Sequence, residues 1–207
     1  MFTGIIEVLG RVLAVAPTGA EGQALRLTIR AQWSPSGPRW TDLAVGESIA
    51  VDGCCLTLAA QAADADTSGV TLAFDAVPQT LALTTLGRLR PGQRVHLERS
   101  ATLATLLGGH LVQGHVDGVG TVLRVQRTDD WRVRIAPPAH LLPYLAPKGS
   151  ITLAGVSLTL AEVAPPRAPA SSPALPTANT GCASRGDSGG DAGGWFEVAL
   201  IPTTLAK

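Results

Sequence analysis

The sequence predicts an all-β protein of two tandem, internally duplicated, six-stranded antiparallel barrels of Greek-key type, the second lacking its closing strand. Three observations predict this class: short β-rich segments at regular spacing, no long helical pattern between them, and motifs repeated in the same order in both halves. We place the N-terminal barrel at residues 1–99 and the C-terminal barrel at residues 100–207, with a disordered insert at 164–194.

The duplication is visible in three motif pairs. In each pair the glycine, proline or Leu-Thr-Leu positions coincide, and chance is a poor explanation for three ordered matches. The pairs are MFTGIIEVLGRV (1–12) with LVQGHVDGVGTV (111–122), VDGCCLTL (51–58) with LAGVSLTL (153–160), and FDAVPQTL (74–81) with VALIPTTL (198–205).

The first half consists of strands joined by turns. Residues 5–16 form an apolar strand, and residues 24–31 alternate apolar with polar side chains, which is typical of a half-buried strand. The connection that follows is rich in Pro, Ser and Gly, and two strands then surround a bend at Gly53. A strand from Gly69 leads to Pro78, which begins a short helical segment that stops at Gly87. Residues 91–100 supply the closing strand.

The second half repeats this pattern after a linker at residues 101–110, for which we expect one helical turn ending at Gly108. Its insert at 164–194 has too little apolar content to order itself. Nothing in the second half corresponds to residues 84–98. We therefore expect either a truncated chain or an exposed sheet edge that a strand from a neighbouring subunit fills.

Composition excludes several classes of function. Sixteen basic and sixteen acidic residues give no electrostatic case for binding nucleic acid or an anionic membrane. The N-terminus does not resemble a signal peptide, and no apolar run is long enough to cross a bilayer. Cys54, Cys55 and Cys182 make neither a disulfide framework nor a metal quartet. We expect a cytoplasmic protein with reduced thiols and no metal.

Five motifs together resemble the riboflavin synthase family, the trimeric type built from two lumazine-binding barrels. They occur in the family's own order and cover nearly the whole chain apart from its two Pro-rich connections. The motifs are MFTGII (1–6), GESIAVDGCCLTL (46–58), TLGRLRPGQRVHLER (85–99), GGHLVQGHVDGVG (108–120) and KGSITLAGVSLTL (148–160).

The resemblance implies a dismutation without a cofactor. One molecule of 6,7-dimethyl-8-ribityllumazine gives four carbons to a second, which forms riboflavin and 5-amino-6-ribitylaminouracil. The resemblance also implies a homotrimer whose active site joins the first barrel of one subunit to the second barrel of the next. Holding two substrates face to face and moving protons is a task of positioning and acid-base catalysis.

The candidates for catalysis are three residues of the repeated strand, Cys55, Ser157 and Thr159, together with His110. Cys55 follows a Gly-entered bend, where a thiol can act as base or nucleophile, although free cysteines are more often small buried hydrophobes. Its neighbour Cys54 should point into the core. Ser157 and Thr159 share one strand face, where their hydroxyls could also bond their own backbone. The resemblance assigns both to the ligand, and it makes Ser157 a candidate for proton transfer.

His110 and His115 are the histidines nearest to a motif. At a spacing of five they should lie on opposite faces of a strand, so we do not expect a shared metal. His110 is a candidate for acid-base or interface work. His115 aligns with Ile5, and we place it at the pocket.

The resemblance further implies a substrate pocket with equivalent segments from both copies, although each segment could instead be an ordinary turn. The first copy contributes Gly4, Ile5, Ile6, Cys55, Leu56, Thr57, Asp75, Ala76, Val77, Pro78, Gln79 and Thr80. The second contributes Gly114, His115, Val116, Lys148, Ser157, Leu158, Thr159, Ala199, Leu200, Ile201, Pro202, Thr203 and Thr204.

Three departures from the family pattern leave an alternative open. Ala154 stands where the family usually has a catalytic Asp, Gln79 and Thr203 stand where it has Glu, and the C-terminal strand and trimer helix have no counterpart. The alternative is a non-catalytic lumazine- or flavin-binding protein of the same family. The presence of Cys55 and of both histidine motifs favours the enzyme.

Overall fold

Strands dominate a computed structural model of the chain, which describes residues 1–19, 22–33, 40, 42–64, 68–127, 131–166 and 193–200. The contacts between residues divide the chain into two units. The first comprises Met1–Val119 with Ser150–Leu158, and the second comprises Gly120–Gly149 with Thr159–Lys207. The domain boundary at residue 99 stays a prediction.

The first unit contains a closed barrel of six antiparallel strands in the order β1-β2-β5-β4-β3-β6. This confirms the predicted barrel, with β6 pairing with both β1 and β3 to close it. The strands are β1 Val8–Thr18, β2 Ala24–Gln32, β3 Ser48–Val51, β4 Cys54–Ala63, β5 Gly69–Ala76 and β6 Arg94–Arg99.

Side-chain alternation explains the barrel core. On β2 the inward residues Leu27 and Ile29 are fully buried, while Thr28 between them is half-buried and Arg26 before them is exposed. Leu58, Leu72 and Leu97 fill the same core from β4, β5 and β6. Each such side chain contributes about 1.5–3 kcal/mol by leaving water, so the period of two directs the strands into a closed sheet.

The helix α1, Pro78–Leu83, begins at the predicted proline, and it ends before the predicted Gly87. The Thr84 hydroxyl donates to the Thr80 carbonyl at 2.7 Å, and Thr84 itself has extended backbone, which ends the helix there. A 3-10 turn, Leu86–Arg88, follows and buries Leu86 in the core.

The linker prediction was wrong. Residues 101–110 contain turns and no helix, and Leu103 and Leu106 are exposed. Without a packed apolar face, so short a segment does not recover the cost of helix nucleation. The stretch from 110 to 119 is also not a strand, apart from a bridge at Val112, so the opposite-face argument for His110 and His115 does not apply.

The other strands form a five-stranded antiparallel sheet in the order β7-β8-β11-β10-β9. In the described part of the chain no strand joins its two edges, so this sheet is an incomplete barrel, as predicted. The strands are β7 Thr121–Arg127, β8 Trp131–Ala136, β9 Ser150–Leu153, β10 Val156–Ala164 and β11 Trp195–Leu200. A 3-10 helix, Ala139–Tyr144, follows β8. Most of the predicted insert, residues 167–192, lies outside the described residues.

Candidate functional site

Two reciprocal hydrogen bonds join the repeated motifs within the first unit. The Cys55 amide donates to the Gly114 carbonyl at 2.8 Å, and the Ser157 amide donates to the Gly4 carbonyl at 2.7 Å. Gly4 and Cys55 belong to the first copy, whereas Gly114 and Ser157 are their counterparts in the second. Each copy therefore binds, through one backbone hydrogen bond, the strand of the other copy that carries Cys55 or Ser157.

Both glycines are required by space and by backbone conformation. Gly4 has φ +74° and Gly114 has φ +82°. A Cβ on Gly4 would lie 2.7 Å from the Ser157 Cβ, and one on Gly114 would lie 2.7 Å from the Cys55 Cβ. Since real Cβ atoms do not approach so closely, only glycine brings these backbones together.

A short antiparallel bridge strengthens this junction. Phe2 and Val112 exchange two backbone hydrogen bonds of 2.7 and 3.0 Å, and the Phe2 side chain is buried. A buried carboxylate fixes the adjacent residues, since Glu98 accepts from the Thr3 amide and hydroxyl at 2.6 and 2.7 Å and from the Gly4 amide at 3.0 Å. The sequence offered no signal for Glu98, which occupies a buried position next to Leu97.

The turns that precede β4 and β10 have the same shape. Asp52 and Gly53 have φ of 47° and 82°, and Ala154 and Gly155 have φ of 47° and 86°. Left-handed φ at both central residues is typical of a type I′ hairpin turn. A Cβ on Gly53 would lie 2.6 Å from the Gly155 amide nitrogen, so the two turns pack backbone against backbone.

His96 is hydrogen-bonded to a residue in each of the two turns, although no sequence motif indicates a role for it. The Asp52 carboxylate accepts from the His96 amide at 2.8 Å, and the His96 Nδ1 lies 2.8 Å from the Ala154 carbonyl oxygen. Because a carbonyl only accepts, Nδ1 carries the proton in this contact. Burial raises the pKa of Asp52, and the hydrogen bond to His96 opposes that rise.

Ser157 and His110 form a hydroxyl-imidazole pair. The Ser157 Oγ lies 2.7 Å from His110 Nδ1, and the Thr152 Oγ1 lies 3.1 Å from His110 Nε2. A neutral imidazole donates from one nitrogen and accepts at the other, so the ring can take a proton from one hydroxyl while donating to the second. Thr152 was missed in the sequence, where it is one of several strand threonines.

The two adjacent cysteines differ as predicted. Cys54 is buried, and burial together with the neighbouring Cys55 raises its pKa to about 11, so it stays a thiol at neutral pH. Cys55 is half-buried on the other strand face, followed two residues later by the exposed Thr57. Of these two cysteines, only Cys55 is therefore partly accessible from outside the core.

The remaining first-copy candidates divide by burial. Leu56 and Ala76 point into the core, so each could reach a ligand only through its main chain. Ile5, Val77, Pro78 and Gln79 are exposed, and Ile6 and Thr80 are half-buried. The Asp75 carboxylate accepts two bonds of 2.7 Å from Arg26, which holds its pKa below the usual range.

The second-copy candidates lie in different parts of the chain. His115 is exposed next to Gly114, and Val116 is half-buried. Leu158 is half-buried beside Ser157. The other described candidates belong to the second unit, where Thr159 and Lys148 are exposed and Ala199 and Leu200 are half-buried. Ile201, Pro202, Thr203 and Thr204 lie outside the described residues.

Lys148 occupies a constrained turn in the second unit. It has φ +68°, and its amide donates to the Leu160 carbonyl at 2.8 Å. Its counterpart Gly46 makes the same bond to Leu58 at 2.8 Å. Among the described residues no group of His, Cys, Asp and Glu could hold a metal ion, and no helix is long and apolar enough to span a membrane.

The chain matches the lumazine binding domain family twice, at residues 3–100 and 113–207. A protein of Mycobacterium tuberculosis named riboflavin synthase is 40% identical over 99% of this chain and 83% of its own length. The chain belongs to the riboflavin synthase family. A riboflavin synthase of Chlamydia muridarum is 37% identical over 79% of this chain and 73% of its own length.

Solved structures of another protein, LumP, have a similar fold. LumP complexed with riboflavin matches with a TM-score of 0.63 and 25% identity, covering 77% of this chain and 80% of that one. LumP complexed with 6,7-dimethyl-8-(1'-D-ribityl) lumazine matches with a TM-score of 0.61 and 26% identity, covering 78% and 81%.

Proposed function

We propose that this chain is a riboflavin synthase, a transferase that dismutates two molecules of 6,7-dimethyl-8-ribityllumazine into riboflavin and 5-amino-6-ribitylaminouracil. The observation that carries the proposal is the reciprocal pair of bonds from Cys55 to Gly114 and from Ser157 to Gly4. A reaction between two identical molecules needs two equivalent binding sites. At this junction the backbone around Cys55 and the backbone around Ser157 have the same hydrogen-bonding arrangement. Because the two substrates contain all the atoms of the two products, the reaction needs no external oxidant or reductant.

Proton transfer is the chemistry that the side chains support best. The electron-poor pteridine acidifies its own 7-methyl group, so a modest base in hydrogen-bond reach can remove a proton there. In our proposal the Ser157 hydroxyl, coupled to His110, moves this proton, and the Cys55 thiol acts as base or nucleophile on the other substrate. Thr159 contributes a second hydroxyl to the ligand on the Ser157 side.

Binding would use the exposed edges of both copies. The segments Gly4 to Ile6 and Asp75 to Thr80 would hold the heterocycle of one substrate, chiefly through their more exposed residues Ile5 and Val77 to Gln79. The second substrate would be held by the corresponding segments of the other copy. These are Gly114 to Val116 and Ala199 to Thr204, together with Lys148. Leu56 and Leu158 would contact the ligands through their main chains, beside Cys55 and Ser157.

Assembly, compartment and domain boundary belong to the same proposal. We propose a cytoplasmic homotrimer in which the first barrel of one subunit meets the second barrel of the next. The two lumazine-binding domains would meet near residue 99, a division that the separate family matches at 3–100 and 113–207 support. Cys54 and Cys55, both free thiols, are compatible with a reducing compartment.

The test is turnover of 6,7-dimethyl-8-ribityllumazine by the purified protein, followed by riboflavin fluorescence. We expect Cys55→Ser and Ser157→Ala each to lower kcat by about 100-fold or more, the usual worth of a positioned acid or base. Cys54→Ala is the matched control, because this neighbour faces the core, and it should keep its turnover after correction for folded fraction. If Cys55→Ser turned over as fast as Cys54→Ala, the proposed role of the thiol would be wrong.

The alternative is a lumazine or flavin carrier, and Ala154 favours it by removing the family's carboxylate at that turn. The same experiment separates the two functions. Tight binding of 6,7-dimethyl-8-ribityllumazine, measured by fluorescence titration, with no riboflavin formed over hours would establish the carrier and exclude the enzyme.

A further inference from the structure

Three arginines form a row across the outer face of the first barrel. In the strand register Arg11 on β1 is paired with Arg94 on β6 and with Arg30 on β2. Residues directly opposite each other in an antiparallel ladder have Cβ atoms about 4.5–5.5 Å apart, and like charges there repel. The backbone therefore places three arginine side chains next to one another, at a cost in stability.

The row is incompletely neutralised. The Arg30 guanidinium binds the Asp64 carboxylate at 2.8 Å. Among the residues that the structure describes, no carboxylate lies within ion-pair distance of Arg11 or Arg94. Arg11 and Arg94 therefore present two positive charges that no carboxylate of the described residues neutralises.

A cleft of about 410 Å³ lies along this row. Its volume falls in the range of small-molecule sites, about 300–1,000 Å³. Trp33 and Leu13 give it apolar walls, and Gln32 adds an amide. The Trp33 ring packs against the barrel core and lies 6.0 Å from the ring of Trp40, so this wall is fixed in place.

Leu13 is brought to the cleft by an irregularity in β1. The register of β1 with β2 shifts between Val12 and Ala14, so Leu13 is the extra residue of a bulge. Bulges redirect side chains and are common beside functional sites. Leu13 is 43% exposed, so its side chain is accessible from the cleft.

We propose that this cleft binds the phosphate group of a small organic phosphate monoester. A phosphate monoester carries about −1.5 to −2 charges at pH 7, which complements the two positive charges of Arg11 and Arg94. The planar guanidinium fork pairs with phosphate oxygens in a bidentate manner, and two forks side by side can hold one phosphate. Trp33 and Leu13 then contact the organic part of the ester. None of these residues belongs to the site proposed for lumazine turnover.

The experiment is isothermal titration of the full chain with phenyl phosphate and with inorganic phosphate, at constant ionic strength so that screening does not change. We expect saturable one-to-one binding of phenyl phosphate, tighter than that of inorganic phosphate. Arg11→Gln and Arg94→Gln should each weaken it about tenfold or more, the usual worth of a hydrogen bond to a charged group. Arg88→Gln is the matched control, since this exposed arginine lies outside the cleft and should leave binding unchanged.

Thermal unfolding separates loss of binding from loss of fold. Because each neutralised arginine relieves like-charge repulsion, Arg11→Gln and Arg94→Gln should keep or raise Tm without ligand. Absence of saturable binding, or equal weakening by Arg88→Gln, would overturn the site. Equally tight binding of inorganic phosphate would overturn the role of Trp33 and Leu13. Lumazine turnover is measured separately, and we expect Arg11→Gln to leave it unchanged whether or not phosphate binds.

Discussion

Replacing Gly114 with alanine tests the junction between the two copies most directly. The new Cβ would lie 2.7 Å from the Cys55 Cβ and 2.7 Å from the Phe2 ring, and the backbone would keep φ near +82°. The left-handed conformation costs an alanine about 1–2 kcal/mol. Overpacking at a rigid contact costs about 1–3 kcal/mol more. We therefore expect Gly114→Ala to lower the free energy of unfolding by about 2–5 kcal/mol.

A matched glycine separates these two costs. Gly92 has φ +91°, and a Cβ built on it would meet no atom within 4 Å. Gly92→Ala thus has the backbone cost without the overlap. The lower entropy of the unfolded alanine chain offsets both variants by the same amount, about 0.4–1 kcal/mol, and cancels in their comparison. The difference between the two variants, about 1–3 kcal/mol, measures the close approach of the copies. Gly4→Ala should behave as Gly114→Ala does, because its Cβ would overlap Ser157.

The assay is urea unfolding followed by tryptophan fluorescence, together with lumazine turnover of the folded fraction. A displacement of about 1 Å at a reacting group can cost 100-fold in rate, so Gly114→Ala should lose far more turnover than Gly92→Ala. If the free energies of unfolding of Gly114→Ala and Gly92→Ala differed by less than about 0.5 kcal/mol, the close contact would be refuted. Surface substitutions that disturb no contact already change this free energy by up to about that amount.

Three further predictions concern the turns and the cysteines. Asp52→Asn should raise Tm at pH 7, because burial raises the pKa of Asp52 and its ionised form opposes folding. This gain should shrink as the pH falls through that pKa and the wild-type carboxyl becomes neutral, which a series of thermal scans measures. Iodoacetamide at pH 8 should alkylate Cys55 before Cys54, whose pKa is about 11, as mass spectrometry of the peptides would report. Ala154→Asp should raise stability by about 0.5–1 kcal/mol in urea unfolding, since Asp tolerates the left-handed φ, and unchanged stability would argue against strain at this turn.

The sequence predicts the barrel well because its signal is local. The alternation of Leu27 and Ile29 with polar neighbours, Pro78 at a helix start and Gly53 in a bend are each visible within ten residues. The duplication adds a check that no single motif provides. The error in the linker has the same origin, because the leucines at 103, 106 and 107 match a helical pattern but meet no surface on which to pack.

The candidate site is predicted only in part, because its contacts are distant in sequence. Cys55 and Ser157 were identified from their place in the repeat, and His110 from the glycine motif before it. Nothing local indicates that the Glu98 carboxylate fixes Thr3, or that Thr152 lies against His110. Such contacts form only when segments that are distant in sequence meet at the junction between the copies. The alternation of apolar and polar residues along a strand does not predict which segments meet.

The two copies keep the same backbone junction, yet they present different chemistry. Ser157 has an imidazole partner in His110, with Thr152 on its far nitrogen. Cys55 occupies the equivalent backbone position, and among the described residues no side chain bonds to its thiol. If both substrates had the same role, identical side chains would suffice. One donates four carbons and the other accepts them, so a hydroxyl with a proton relay on one side and a lone thiol on the other fit the two roles that we propose.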